Sequence, residues 1–306
     1  MAGYPDSTVR APMPILSAAL FFAALPACEP NAGEAVGPAS AVVSLEIEPA
    51  SARLDTSPEA AATVQFTATA TFEDGTSAAI DLVSWSLSNF AAGDIDDAGL
   101  FTASTENGAI STVVVEHAGI QATAELTVVY SDTLDQTGGA AKAADFDGTA
   151  ATEIGWIYPE QGVAVPRNIP SLTFMWEAVP GATAYRTEFT TPITNVYALT
   201  TEPQIKLDAD AWGVIAATNA GGTVEVEVRA QGSSGLAVSA SRSVSVNRLD
   251  ALGSIYYWST TDSGVMRVPV DAEEPELFYA QQTGAPHCVA CHTVRQDRMS
   301  VSYGIF

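Results

Sequence analysis

Between Val42 and Tyr130 apolar and polar residues alternate in short runs: Val43, Leu45 and Ile47, then Val64 through Phe72, then Val113-Val114-Val115 and Leu126-Thr127-Val128-Val129. Successive side chains of an extended chain point to opposite sides, so a period of two predicts strands that bury one face. Glu73-Asp74-Gly75-Thr76 and Asp96-Asp97-Ala98-Gly99 separate the runs, and their glycines can take the positive φ of a tight turn. The same texture resumes at Ile154 and runs to Asn247, through Trp156-Ile157-Tyr158-Pro159, Leu172-Thr173-Phe174-Met175-Trp176 and the alternating Val224-Glu225-Val226-Glu227-Val228-Arg229-Ala230. Short strands punctuated by turns predict two sandwiches in series. Residues 131–152 between them are small, polar and rich in Gly and Ala, which reads as a flexible linker. Inside it, Asp145-Phe146-Asp147-Gly148 reads as an acidic turn, because an EF-hand loop needs a carboxylate where Trp156 stands.

The amino terminus has a different character. Ile15 through Leu25 is an apolar run too short to cross a bilayer and right for the core of an export signal. It closes with Leu25-Pro26-Ala27-Cys28, which resembles the lipobox of bacterial lipoproteins. That resemblance implies a signal peptide over 1–28, diacylglycerol on the Cys28 thiol, and a membrane partner through the lipid. The alternative is an ordinary signal peptide that leaves Cys28 as a free thiol. Residues 29–40, rich in Pro, Gly, Ala and Asn, read as a flexible tether. Glu29 stands where many lipoproteins kept at the inner membrane carry Asp, so the expected address is the outer membrane or cell surface.

Composition narrows the function. A chain of 306 residues holds two or three domains, and its Ala, Thr, Val and Ser content with recurrent Gly and Pro favours an all-β class. Acidic residues outnumber basic ones 36 to 12, and the lysines are Lys142 and Lys206 alone. Such a surface repels phosphate backbones, which excludes nucleic acid as a partner.

Several segments resemble known families. Phe66-Thr67-Ala68-Thr69-Ala70, Asp74-Gly75-Thr76, Val83-Ser84-Trp85-Ser86-Leu87-Ser88, Asp97-Ala98-Gly99-Leu100-Phe101-Thr102-Ala103 and Ala122 through Val128 together resemble the bacterial Ig-like (Big) domain over 41–130. The resemblance implies a spacer or adhesion module with Trp85 in its core. Trp176, the Pro180-Gly181-Ala182 turn and Tyr185 look like the B and C strands of a fibronectin type III domain, expected over 153–248. Ser254 through Ser259, Gly264 through Asp271 and Pro275-Glu276-Leu277-Phe278 resemble one blade of a TolB-like propeller, expected as a truncated propeller-like β region over 249–306. The fold class expected is therefore all-β, with tandem Ig-like β-sandwiches followed by that region. No Ser-His-Asp or paired-carboxylate constellation is legible, so a non-enzyme is expected.

The last two cysteines stand in His287-Cys288-Val289-Ala290-Cys291-His292. Cys-x-x-Cys-His is the attachment signature of c-type haem, in which Cys288 and Cys291 bind the porphyrin covalently and His292 is the axial ligand of the iron. Met299 or Met266 is the candidate distal ligand. Three other readings stay open: zinc held by His287, Cys288, Cys291 and His292, a reduced redox pair, and a local disulfide. The leading expectation is a cell-envelope lipoprotein whose stalk carries one haem c for electron transfer or redox sensing, with a redox protein as partner. The alternative is a surface adhesion or scaffold protein that meets a surface ligand.

Overall fold

The structure is a computed structural model that describes residues 40–280, 287–295 and 298–305, the last two stretches by their backbone. The expected export signal, Cys28 and residues 29–39 of the expected tether lie outside the described residues.

The alternating runs of the first half form strands β1 (Val42–Glu48), β2 (Ser51–Thr56), β3 (Thr63–Gln65), β4 (Thr67–Phe72), β5 (Ser77–Ala79), β6 (Ser84–Leu87), β7 (Gly93–Ile95), β8 (Leu100–Ala103), β9 (Ala109–His117) and β10 (Ile120–Asp135). Sheets β1-β4-β5 and β3-β8-β7 pack with β6-β9-β10, and β2 adds to β10 in parallel. Their inward positions make one core around Leu45, Ile47, Phe66, Phe101, Val113, Val115, Leu126 and Val128. Trp85 is half-buried at the margin of this core, its ring 6.5 Å from that of Phe66. Gly75 and Gly99 take φ of +80° and +79°, as the two turns require.

The second half supplies β11 (Thr152–Ile154), β12 (Trp156–Tyr158), β13 (Val163–Val165), β14 (Thr173–Trp176), β15 (Tyr185–Thr191), β16 (Thr194–Thr200), β17 (Gln204–Lys206), β18 (Thr223–Gly232), β19 (Gly235–Ser239) and β20 (Arg242–Val246). The sheet β12-β14-β17 covers a larger one in which β16, β15, β18, β19 and β11 follow in order, with β20 on β18. Between them lie Phe174, Trp176, Tyr185, Phe189, Ile205, Val226 and Val228. Trp176 and Tyr185 are core residues, with ring centroids 5.4 Å apart.

One helix interrupts the β pattern. Helix α1 (Ala209–Thr218) starts where the Asp208 carboxylate accepts from Ala211 N–H at 2.8 Å, and it buries Trp212, Ile215 and Ala216 in the second core. It ends at Asn219, whose buried amide donates to the Ile215 carbonyl at 2.8 Å and to Thr194 Oγ1 at 2.9 Å.

Residues 131–152, expected to be a flexible linker, are mostly exposed but are tied to the fold at both ends. β10 continues to Asp135, and past it Phe146 is buried with Ala184, Leu199 and Leu236. The sequence is polar there because it lies on the outer face of a sheet, where one large ring supplies the anchorage. The acidic turn is present as a short 3-10 turn over Ala143–Phe146, in which Asp145 accepts from Lys142 N–H at 2.8 Å.

Past Leu249 the strands β21 (Ser254–Ser259), β22 (Gly264–Pro269) and β23 (Glu276–Ala280) form an antiparallel three-stranded sheet. β24 (His287–Arg295) and β25 (Arg298–Ile305) form a hairpin, and β24 runs close to β21 and β22. The described residues of this region do not close into a propeller.

Candidate functional site

Two places bring together groups with chemical potential: the junction between the sandwiches and the carboxy-terminal hairpin.

The junction is built on β10. Its residues 120–128 pair with β9, residues 125–130 pair with β2, and Tyr130 through Asp135 then pair in parallel with Thr194 through Leu199 of β16. One strand thus belongs to both modules. Tyr130 N–H donates to the Ile193 carbonyl at 3.0 Å, and the Arg53 guanidinium donates to the Pro192 carbonyl at 3.2 Å. Gly108 approaches Ile193 so closely that a side chain there would overlap the carbonyl oxygen.

Burial, with the nearby Asp132 carboxylate, pushes the Tyr130 phenol up to about 12. Folding therefore favours the neutral phenol, and the stability it contributes is lost as pH rises above about 10, where an unfolded tyrosine ionises. A titration followed by tyrosinate absorbance is expected to show a late-ionising phenol that disappears in Tyr130→Phe. An unchanged curve in that variant would contradict the assignment.

Beside the junction the outer sheet face carries an ionic cluster. Arg186, with a side chain 4% exposed, pairs with Glu188 at 2.6 Å and with Asp147 at 2.8 Å, and donates to the Ala143 carbonyl. Its guanidinium carbon stands 4.7 Å from the centroid of the Tyr197 ring. Arg229 pairs with Glu188 at 2.9 Å and Glu227 at 2.8 Å, and donates to the Gly148 carbonyl at 3.3 Å. A buried guanidinium is tolerated when its charge and donors are matched in this way. The cluster clamps residues 143–148 to β15 and β18. Its role is structural, and sequence reading missed it because residues 143–148 lie 39 to 81 residues from the arginines that hold them.

In the hairpin, Cys288 stands opposite Gly304, Val289 opposite Tyr303 and His292 opposite Val301. Four steps along β24 therefore match three along β25, which is a bulge between Val289 and His292. Val294 is opposite Met299, so Met299 lies on the return strand. Met266 sits on β22, which β24 approaches, and is buried between the register positions of Tyr257 and Leu277. Among the described residues no group of three or more His, Cys, Asp or Glu is gathered as a metal site. No helix among them is long and apolar enough to cross a membrane.

No protein family profile matches the chain, and no curated protein matches it. Similar solved structures include a tandem of titin Ig domains, 12% identical, covering 66% of this chain and 96% of that one, with a TM-score of 0.23. The N-terminal four Ig domains of Dscam1 isoform 8.4 are 10% identical, with 64% of this chain and 43% of that one covered and a TM-score of 0.21. The S-layer protein rSbsC is 8% identical, covering 87% of this chain and 37% of that one, with a TM-score of 0.23. The chain thus spans less than half the length of the Dscam1 and S-layer structures. Scores of this size define no shared overall arrangement, and the all-β architecture of two sandwiches in series rests on the strand pairing described above.

Proposed function

We propose that this chain is a non-catalytic scaffold of the cell surface, in which two Ig-like sandwiches act as one stiff stalk and carry the carboxy-terminal β region outward. The observation that carries this reading is β10, whose sixteen residues serve both sandwiches without a break. Shared strand pairing resists bending in a way that a polar linker does not. The first module is Big-like, the second fibronectin-like, and the last sheet propeller-like in this reading. The lipobox resemblance adds an anchor at Cys28 and a site at the outer membrane or cell surface. Residual dipolar couplings measured on the full chain test the stalk. One alignment tensor is expected to fit the amides of both sandwiches, and two independent tensors would sink the proposal. Labelled palmitate is expected on the wild type and absent from Cys28→Ser.

A second reading is favoured by the Cys-x-x-Cys-His motif on a bulged strand. Here Cys288 and Cys291 would hold one haem c covalently, with His292 and either Met299 or Met266 as the candidate iron ligands. Haem would supply one-electron transfer or redox sensing. Production alongside a haem-maturation system, followed by a pyridine haemochrome spectrum, is expected to give one covalent haem per chain, lost in Cys288→Ser. A chain that emerges without haem removes the electron-transfer reading and leaves the scaffold untouched.

A further inference from the structure

A groove of about 390 Å³ opens where the two sandwiches meet. Ser57 and Glu59 reach it from the turn after β2, Ser131 and Asp132 from β10 at its crossing, and Asn195 and Tyr197 from β16. We infer that this groove binds a neutral, polyhydroxylated ligand of the oligosaccharide class. The inference rests on the fused junction proposed above, because the three segments come from both modules.

The lining offers unspent hydrogen-bonding capacity. The side chains of Glu59, Ser131 and Asn195 and the Tyr197 hydroxyl have no partner among the described residues. Carboxylate, carboxamide and hydroxyl groups together accept from and donate to sugar hydroxyls, which are themselves both donors and acceptors. Tyr197 adds an aromatic surface of the kind that packs against the C–H face of a pyranose. Arg186 lies 4.7 Å from that ring and is itself held by Glu188 and Asp147, so the tyrosine is fixed before any ligand arrives.

Other ligand classes fit less well. Glu59 and Asp132 repel anions, and no basic side chain lines the groove. A tightly held divalent cation requires several converging carboxylates, and no such group is gathered among the described residues. A purely apolar ligand would strand the polar lining without partners.

Saturation-transfer NMR and calorimetry on the full chain would test this, using neutral glucose and N-acetylglucosamine oligomers as probes and polyphosphate and Ca²⁺ as controls. Binding of at least one neutral series is expected. Asn195→Ala and Glu59→Gln should each weaken it by about tenfold, the scale of one or two lost hydrogen bonds, without moving the thermal midpoint. Failure of every neutral oligomer to bind, binding unchanged in both variants, or a response to polyphosphate or Ca²⁺ in their place would overturn the inference. The dipolar couplings separate the two proposals: a single tensor without sugar binding removes the groove alone, and two tensors remove the stalk.

Discussion

Trp212→Ala is expected to destabilise the second sandwich by about 3–5 kcal/mol, the range for truncating a fully buried large aromatic. Trp212 has no solvent exposure, and its ring lies 6.1 Å from that of Phe174 among the residues shared by helix α1 and both sheets. Its indole N–H has no hydrogen-bond partner among the described residues. The loss therefore reports packing and cavity formation, with no hydrogen bond removed. Trp212→Phe keeps most of the apolar volume and discards the unpaired donor, so it should cost markedly less. Urea unfolding of the two variants provides the check. An equal loss in both would show that ring volume is not what this position supplies.

Gly108→Val is expected to loosen the junction while both cores stay folded. A side chain at Gly108 falls on the Ile193 carbonyl, the same oxygen that accepts from Tyr130 N–H at 3.0 Å. The neighbouring Ala109 is buried in the first core, so the backbone at 108 is not free to withdraw. The turn between β15 and β16 must then move and give up the start of the β10–β16 pairing. Overpacking of this kind costs about 1–3 kcal/mol. Thermal unfolding should fall and divide into two transitions, and the dipolar couplings should need two tensors. A single tensor with an unshifted melting curve would mean that the modules are not held together at this point.

Much of the fold was legible because its cause is local. The alternation at Leu45 and Ile47 and from Val224 to Ala230 produces strands with one buried face, since the period of an extended chain is two. The turns at Gly75 and Gly99 follow from the conformational freedom of glycine. Helix α1 was harder to see, because its apolar residues do not form a clear stripe. A readable signal existed in Asp208 ahead of an alanine-rich stretch. The linker reading failed for a related reason. Ser131 through Asp135 is a polar stretch of an edge-sharing strand, and a window of composition does not register that β16 will pair with it.

For the candidate sites the division is similar. The Cys-x-x-Cys-His motif is chemistry written at fixed short spacing, so it is visible in the chain, whereas the bulge between Val289 and His292 depends on how β25 returns. The groove had no signature, since Glu59, Asp132 and Asn195 are ordinary polar residues until β10 joins the modules. The sequence by itself determined the all-β class, the turn positions and the presence of the Cys-x-x-Cys-His motif, because each depends on neighbours along the chain. Only the tertiary structure decided that the sandwiches share a strand, that Arg186 locks the segment after it, and that a polar groove opens between them. Those features arise from pairings between residues tens of positions apart, whose loop-closure cost is met by long-range packing that no local pattern encodes.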